Sequence, residues 1–322
     1  MTSLYRYAAS VPELKSPVAL TLGSFDGLHV GHQALITQLA SVDAATRVVV
    51  SFYPHPDSVL GKAPITRQLS TLHQRMQLLQ ELGVDIFLCL HFTPAFSRML
   101  AGDFLQQIIL DRLHAAKVVL GPDARVGHQG QGTPEFICEY LNQRGCQAQI
   151  LPFLTAEGGA RISSRRIREL IREGRVHEVP ALLGRPYVLE GRVRQGDRRG
   201  RSLGFPTANL YLQQQELPRE GVYITRTLLA GRQYPSVTNL GYRPTFYTKA
   251  TPATSEPELL PVLETHLLTY QGAEFYRERV EVQLLQRLRD EQRFSGVAAL
   301  QQQLMRDCEQ ARAFFMQLGE LV

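Results

Sequence analysis

Cysteine is scarce in this chain: Cys89, Cys138, Cys146 and Cys308 are the only four, and no two of them form a CxxC pair. A zinc ribbon or a disulfide framework needs closely paired thiols, so neither is expected, and the apolar neighbours of these four predict buried thiols. Long apolar runs are also missing. No stretch reaches 18 consecutive apolar residues, which leaves nothing expected to cross a membrane as a helix. The first residues place Pro12, Glu13 and Lys15 where a secretory leader carries its apolar stretch, so the chain reads as a soluble cytoplasmic protein. Lysine is confined to Lys15, Lys62, Lys117 and Lys249, and neither an internal repeat nor a low-complexity segment occurs. Fibrous and disordered classes are excluded.

At 322 residues, 44% of them hydrophobic, the chain can bury ordinary cores without metal or disulfide support. Roughly 150 residues per domain predicts two domains. The formal charge of +5 is unevenly spread. Between Arg161 and Arg201 stand twelve arginines against five acids, an excess larger than the chain's total, so the remainder is net negative. Clustered guanidinium groups suit phosphates, of nucleic acid or of nucleotides; an arginine-enriched solvated face is the plainer alternative.

Short apolar runs at 18–24, 47–53, 84–91 and 116–121 read as strands, separated by helical patterns at 31–42, 68–82, 101–114 and 134–144. Strand-helix alternation with nearly continuous apolar strands predicts a doubly wound, Rossmann-like α/β domain whose ligands bind beyond the carboxyl ends of the strands. After a helical stretch at 163–184 the pattern changes. From Tyr187 to about Arg289 strands alternate with turn signals, predicting an antiparallel β-barrel, and the 3.6-period spacing of Val297, Leu300, Leu304, Cys308, Ala311 and Phe315 predicts one terminal helix. The domains are therefore expected at 1–184 and 185–322.

The segment LGSFDGLHVGHQALI, residues 22–36, carries the most chemistry. It spans a predicted strand-to-helix turn, where exposed N–H groups and the positive end of a helix dipole bind phosphate. Gly23, Gly27 and Gly31 allow close backbone approach, and His29 and His32 can donate to charge developing on a phosphoryl group. No Gly-Lys-Ser/Thr follows, so this is not a Walker A loop. Ser163, before a helical pattern, can cap it, and with Ser164 and Arg168 forms a second candidate anion site; an ordinary capped surface helix is the alternative. Phe52 and His55, the latter between Pro54 and Pro56, read equally as a binding segment or as loop packing.

In this part the chain resembles the bacterial bifunctional riboflavin kinase/FMN adenylyltransferases. Gly23 to His32 matches the family's GxFDGxHxGH element, including Phe25 and Asp26; Phe52, Pro54 and His55 match FxPHP; Ile162 to Arg168 matches ISSTxIR. The resemblance implies that these residues bind ATP and FMN, with His29, His32 and Arg168 neutralising charge during adenylyl transfer. Two departures stand out. Where the family carries GxDFxFG, this chain reads Gly121-Pro122-Asp123-Ala124-Arg125-Val126-Gly127, retaining Asp123 but neither aromatic, and Arg165 replaces the threonine of ISSTxIR. Weakened flavin stacking is expected.

The second half offers a basic loop in which Gly196, Gly200 and Gly204 interleave with arginines, suited to covering phosphates, although a nucleic-acid loop or a plain hairpin fits it as well. Thr207 and Asn209 follow on one face of a predicted strand, an oxygen pair that can hold Mg²⁺ together with ATP phosphates. Leu203 to Asn209 matches the LGxPTAN signature of riboflavin kinases, and Glu264-Thr265-His266 and Leu288-Arg289-Asp290-Glu291 match further segments of that family. The resemblance implies ATP and riboflavin as substrates, Glu264 as the base that takes the hydroxyl proton, and Arg289 in nucleotide binding.

The expected function is therefore phosphorylation of riboflavin to FMN by the barrel and adenylylation of FMN to FAD, with release of pyrophosphate, by the α/β domain. Mg²⁺ is the expected cofactor, and small molecules rather than nucleic acid or membrane are the expected partners of a monomer or weak homo-oligomer. Two alternatives stand beside it. The α/β domain could be an impaired nucleotidyltransferase serving as sensor or scaffold, as the losses at 124, 126 and 165 suggest. The arginine stretch could bind nucleic acid, but only Tyr187 and Phe205 interleave with it as stacking aromatics.

Overall fold

The computed structural model describes residues 1–43, 45–61, 67–156, 158–194, 205–212, 215–244, 259–272 and 275–321. The chain divides into two compact units, Met1–Arg166 and Ile167–Val322.

The first unit is a six-stranded, all-parallel sheet formed by β1 (Ser3–Tyr5), β2 (Val18–Leu22), β3 (Thr46–Tyr53), β4 (Ile86–His91), β5 (Ala115–Leu120) and β6 (Gln147–Ile150), in the order β1-β4-β3-β2-β5-β6. Alternate residues of each inner strand feed opposite layers, as the pleat requires. Leu20, Val48, Val50, Leu88 and Val118 pack with Phe104, Leu105 and Ile137 on one face; Ala19, Val49, Phe87 and Val119 pack with Leu35, Ile36 and Leu79 on the other. Burial on both faces explains why the four inner strands read as nearly continuous apolar runs. The edge strands β1 and β6 are short, and β6 (QAQI) is polar, so the apolar pattern misses both.

The helices of this unit are α1 (Val30–Thr37), α2 (Pro56–Val59), α3 (Leu72–Glu81), α4 (Ala101–Phe104) and α5 (Pro134–Asn142). Helix α3 starts later than periodicity predicts because Thr71 and Gln74 form a capping box that stops it at Leu72. The expected helix at 101–114 is α-helical only through Phe104 and continues as a π-helix over Leu105–Leu110.

The helical stretch expected over 163–184 is broken. It forms α6 (Ser164–Arg172), a 3-10 turn at Val176–Glu178 and α7 (Val179–Leu183), with the break at Gly174, whose φ is 76°. From Ile167 onward this segment belongs to the barrel unit: Arg172 Nε and Nη2 donate to Glu216 at 2.9 and 3.0 Å, and Arg219 N donates to Ile171 O.

The second unit is a closed antiparallel barrel of β7 (Tyr187–Arg194), β8 (Ala208–Leu212), β9 (Gly221–Leu229), β10 (Arg232–Pro244), β11 (Leu259–Leu267) and β12 (Arg279–Arg289), ordered β10-β11-β8-β7-β12-β9. Its interior is partly polar. Thr225, Thr227, Ser236, Thr238 and Thr265 are fully buried and bond to one another at 2.7–3.2 Å, so each hydroxyl is satisfied without water. The terminal helix α8 (Val297–Gln317) lays Cys308, Ala311 and Phe315 over Val222, Ile224 and Val237 on the outer face.

Candidate active sites

In the α/β unit the helices after β2 and β5 lie on opposite faces of the sheet, so the crevice between these strands is the topological switch point at which open sheets bind ligands. The turn after β2 is unusual. Phe25, Gly27 and Leu28 all have positive φ (48°, 79° and 45°), a strain of about 1–2 kcal/mol per non-glycine residue, held in place by two fully buried side chains, Phe25 and Leu28. Asp26 clamps the turn from beneath: its carboxylate accepts from Leu69 N at 2.9 Å and Ser70 N at 3.3 Å, while its carbonyl accepts from Ser164 Oγ at 3.0 Å. Asp26 and Ser164, expected to bind nucleotide, thus also serve as scaffold.

His29 caps α1, its Nδ1 accepting from His32 N at 3.3 Å, so Nε2 carries the ring hydrogen. The two imidazoles stack at 3.6 Å. Glycine at 31 leaves room for this fold-back, since a Cβ there would lie 3.1 Å from His29 Nδ1 and crowd the ring. Burial pushes His29 down to about 4, Asp123 and Asp26 partly opposing it, and burial next to His29 holds His32 well below the usual imidazole range. Both rings are therefore neutral near pH 7. In the free protein neither imidazole is therefore a cation, and His29 keeps its Nε2–H as a donor.

A cavity of about 740 Å³ opens beside them, lined by Gly23, Phe25, His32, Phe52, His55 and Asp123 among others. Phe52 packs against Phe92, Phe96 and Phe104 with ring centroids 5.9–6.1 Å apart, giving the cavity an aromatic wall. Sequence reading selected only Phe52. The other three lack a motif, but Phe92 and Phe96 follow β4, on the ligand-binding edge of the sheet, and that placement was the available signal. Pro54 follows a cis peptide bond and leads to His55, whose Nδ1 accepts from Asp57 N. Ala124 and Val126 are buried and also line the cavity, in a turn closed by Ala124 N donating to Gly121 O. Asp123 pairs with Arg161 at 2.6 Å, and that guanidinium lies 3.4 Å over the Phe153 ring. Ser163 Oγ caps α6 by accepting from Arg166 N at 3.3 Å, as anticipated, and Arg165 is exposed. Arg168 lies in the barrel unit, its Nε 3.8 Å from Glu216.

In the barrel unit the candidate residues line up across strands. Asn209 on β8 stands opposite Arg194 on β7 and Glu264 on β11, and Glu264 in turn stands opposite Asn239 on β10. Directly paired residues share a face, so these side chains form one outward row. Glu264 and His266 do share that face, alternating with buried Leu263, Thr265 and Leu267. His266 Nδ1 donates to Pro206 O at 2.8 Å and its ring meets Phe205 edge-on, tying the Phe205–Asn209 segment to β11. Burial lowers the His266 pKa, opposed by that bond. Thr207, half-buried, enters β8 two residues before Asn209. Arg289 spends its guanidinium on Asp307 of α8, with bonds of 2.7–3.2 Å to a carboxylate that is 1% exposed, and on Asp290 O; it is a strut between β12 and α8. Gly196, Gly200 and Gly204 lie outside the described residues. Sequence reading meets Asn239 only within the family-matching segment Asn239-Leu240-Gly241 and gives it no role, since no spacing reveals which strand pairs with β11.

Comparison with known proteins agrees with this division. The FAD synthetase family matches residues 11–166 and the riboflavin kinase family residues 183–315. The bifunctional riboflavin kinase/FMN adenylyltransferase of Bacillus subtilis (strain 168) is 33% identical over 314 residues, 96% of each chain. That of Listeria monocytogenes is 35% identical over 306 residues, 94% of this chain and 93% of its own, and that of Escherichia coli K12 is 33% identical over 92% of each. A solved protein from Streptococcus pneumoniae, described as a macrolide-efflux protein, superposes with a TM-score of 0.85 at 29% identity, covering 97% of this chain and 98% of that one. Among the described residues here, no helix is long and apolar enough to cross a membrane.

Proposed function

The chain belongs to the bifunctional riboflavin kinase/FMN adenylyltransferase family, and from that premise we propose how its residues divide the two reactions. Riboflavin and ATP give FMN in the barrel; FMN and a second ATP give FAD and pyrophosphate in the α/β unit.

In the barrel, Glu264 accepts the proton of the ribityl 5′-hydroxyl as that oxygen attacks the γ-phosphorus and the bond to the β-phosphate oxygen breaks. The observation that carries this assignment is the register: the carboxylate stands directly across from Asn209, next to the segment that His266 anchors. Thr207, Asn209 and Glu264 are all oxygen donors, and such a set suits a hard divalent cation arriving with ATP. Mg²⁺ held there by these oxygens together with the phosphates would neutralise the phosphate charge. We take 185–322 as the catalytic kinase domain, with 167–184 as a segment packed onto its compact unit.

In the α/β unit the FMN phosphate attacks the α-phosphorus of ATP and pyrophosphate leaves. His29 offers Nε2–H to the developing charge from a buried, preorganised position, where a neutral donor is worth more than in water. The aromatic wall of Phe52, Phe92, Phe96 and Phe104 suits a flat ring system, which supports an active adenylyltransferase over a scaffold. Three arginines of the basic stretch are engaged by acids: Arg161 by Asp123, Arg172 by Glu216, and Arg175 by Glu173 and Glu178. This favours small-molecule substrates over nucleic acid. Free cysteines fit a reducing, cytoplasmic setting. Incubating the protein with riboflavin and Mg-ATP and separating FMN from FAD tests the whole reading. FMN without FAD, at saturating FMN and with ATP still bound, would replace the adenylyltransferase by the scaffold.

A further inference from the structure

We propose that Glu291 is a positioning residue for phosphoryl transfer in the barrel: through Asn239 it holds Glu264 in its reactive orientation. The inference rests on Glu264 being the base. Asn239 stands directly opposite Glu264 in the β10–β11 ladder, so their Cβ atoms lie about 4.5–5.5 Å apart. The Asn239 amide is held in turn, because its Nδ2 donates to Glu291 Oε1 at 2.9 Å. An ionised carboxylate only accepts, so the nitrogen end of the amide must face Glu291, and this leaves one amide hydrogen for the Glu264 side. A carboxylate held by such a donor spends less of its time in rotamers that point away from the hydroxyl.

Glu291 is itself seated from two directions. Gly241 lies two residues along β10 from Asn239, hence on the same face, and a Cβ there would collide with the Glu291 carboxylate. Its backbone follows the end of β12, which is pinned by Arg289 on buried Asp307 and by Arg287 on Asp290. The bare backbone of Gly241, the amide of Asn239 and the two arginine struts thus converge on Glu291.

The test is steady-state FMN formation by the full chain carrying Glu291→Ala, Glu291→Gln or Gly241→Ala, with thermal melting and riboflavin binding measured on the same preparations. Glu291→Ala and Gly241→Ala should each lower kcat about ten- to hundredfold while both KM values stay within about twofold. Glu291→Gln, whose Oε1 still accepts from Asn239, should recover most of the rate. Glu291→Ala empties the seat and Gly241→Ala blocks it, so a folding defect in one leaves the other as the test. Parental kcat in either folded variant, a Glu291→Gln as impaired as Glu291→Ala, or a raised KM with kcat unchanged would overturn the proposal. Glu264→Gln at the parental rate would instead remove the base reading beneath it; an inactive Glu264→Gln beside a parental Glu291→Ala would refute the positioning role alone.

Discussion

The two units build their sites in opposite ways. The α/β unit hangs its residues on loops at one edge of a sheet, so each needs its own restraint: Asp26 clamped to Leu69 and Ser70, His29 folded over Gly31, Phe25 and Leu28 held at positive φ. The barrel sets its residues on paired strands, where alternation and register place Asn209, Glu264 and Asn239 in one row without local strain. A loop site can bury and desolvate its donors, and it does so with both imidazoles. A strand site keeps Glu264 half-exposed but fixes its neighbours. Electrostatic tuning is thus the property of the first site, and positional order that of the second.

The sharpest way to break this contrast is to remove one group from each site and ask whether the losses stay separate. Glu264→Gln should lower FMN formation 10²- to 10⁴-fold, the usual cost of a general base, and leave FAD formation from supplied FMN at the parental rate. His29→Asn keeps a side-chain acceptor for the α1 cap but loses the distal N–H. It should lower adenylylation about 10²- to 10³-fold and spare the kinase. If either variant cripples both reactions while melting normally, the sites are not independent.

Acid should expose the tuned imidazole next. In an unfolded chain His29 titrates near 6.5, whereas in the folded unit burial holds it at about 4. Between those values the unfolded state binds more protons, so folded-state stability is full above 6.5 and falls as pH drops toward 4, by about 3 kcal/mol for this group. His32 acts in the same direction. A pH series of thermal melts should show this fall, and His29→Asn should flatten it. An unchanged slope would mean that His29 is not the buried neutral ring described. Next in size is Asn209→Ala. It should raise the KM for Mg-ATP in the kinase reaction roughly tenfold or more, the worth of a bond to a charged group, without touching adenylylation.

Most of the architecture was legible because its signals are periodic. Continuous apolar strands gave away the parallel sheet, and the spacing from Val297 to Phe315 gave away the terminal helix. Edge strands escaped because a strand such as Gln147–Ile150 buries too little to need apolar residues. At the sites, residue choice was readable and residue role less so. Asp26, Ser164 and Arg289 match family segments, yet the structure gives each a bond within the fold. No role could be read for Asn239 or Phe96 because their placement arises from contacts far apart in sequence.

The smallest effect concerns the missing aromatics at 124 and 126. Losing a stacking contact costs about 0.5–1.5 kcal/mol, so a several-fold raised KM for FMN is expected, and restoring both rings is the repair that the sequence suggests. The structure separates the two positions. Both line the cavity, but Val126 is packed so closely that a Cβ on Gly132 would lie 2.6 Å from its Cγ2, and its side chain is 4% exposed. A phenylalanine there must push into Gly132 and its neighbour Ala101, an overpacking cost of about 1–3 kcal/mol that offsets what stacking returns. Ala124 has the cavity in front of it. Ala124→Phe alone should therefore lower the KM for FMN several-fold with little change in melting temperature, whereas adding Val126→Phe should destabilise the unit and cancel the gain. A double variant that binds FMN more tightly than Ala124→Phe and melts no lower would show that this wall yields, and that the loop-built site is softer than its clamps imply.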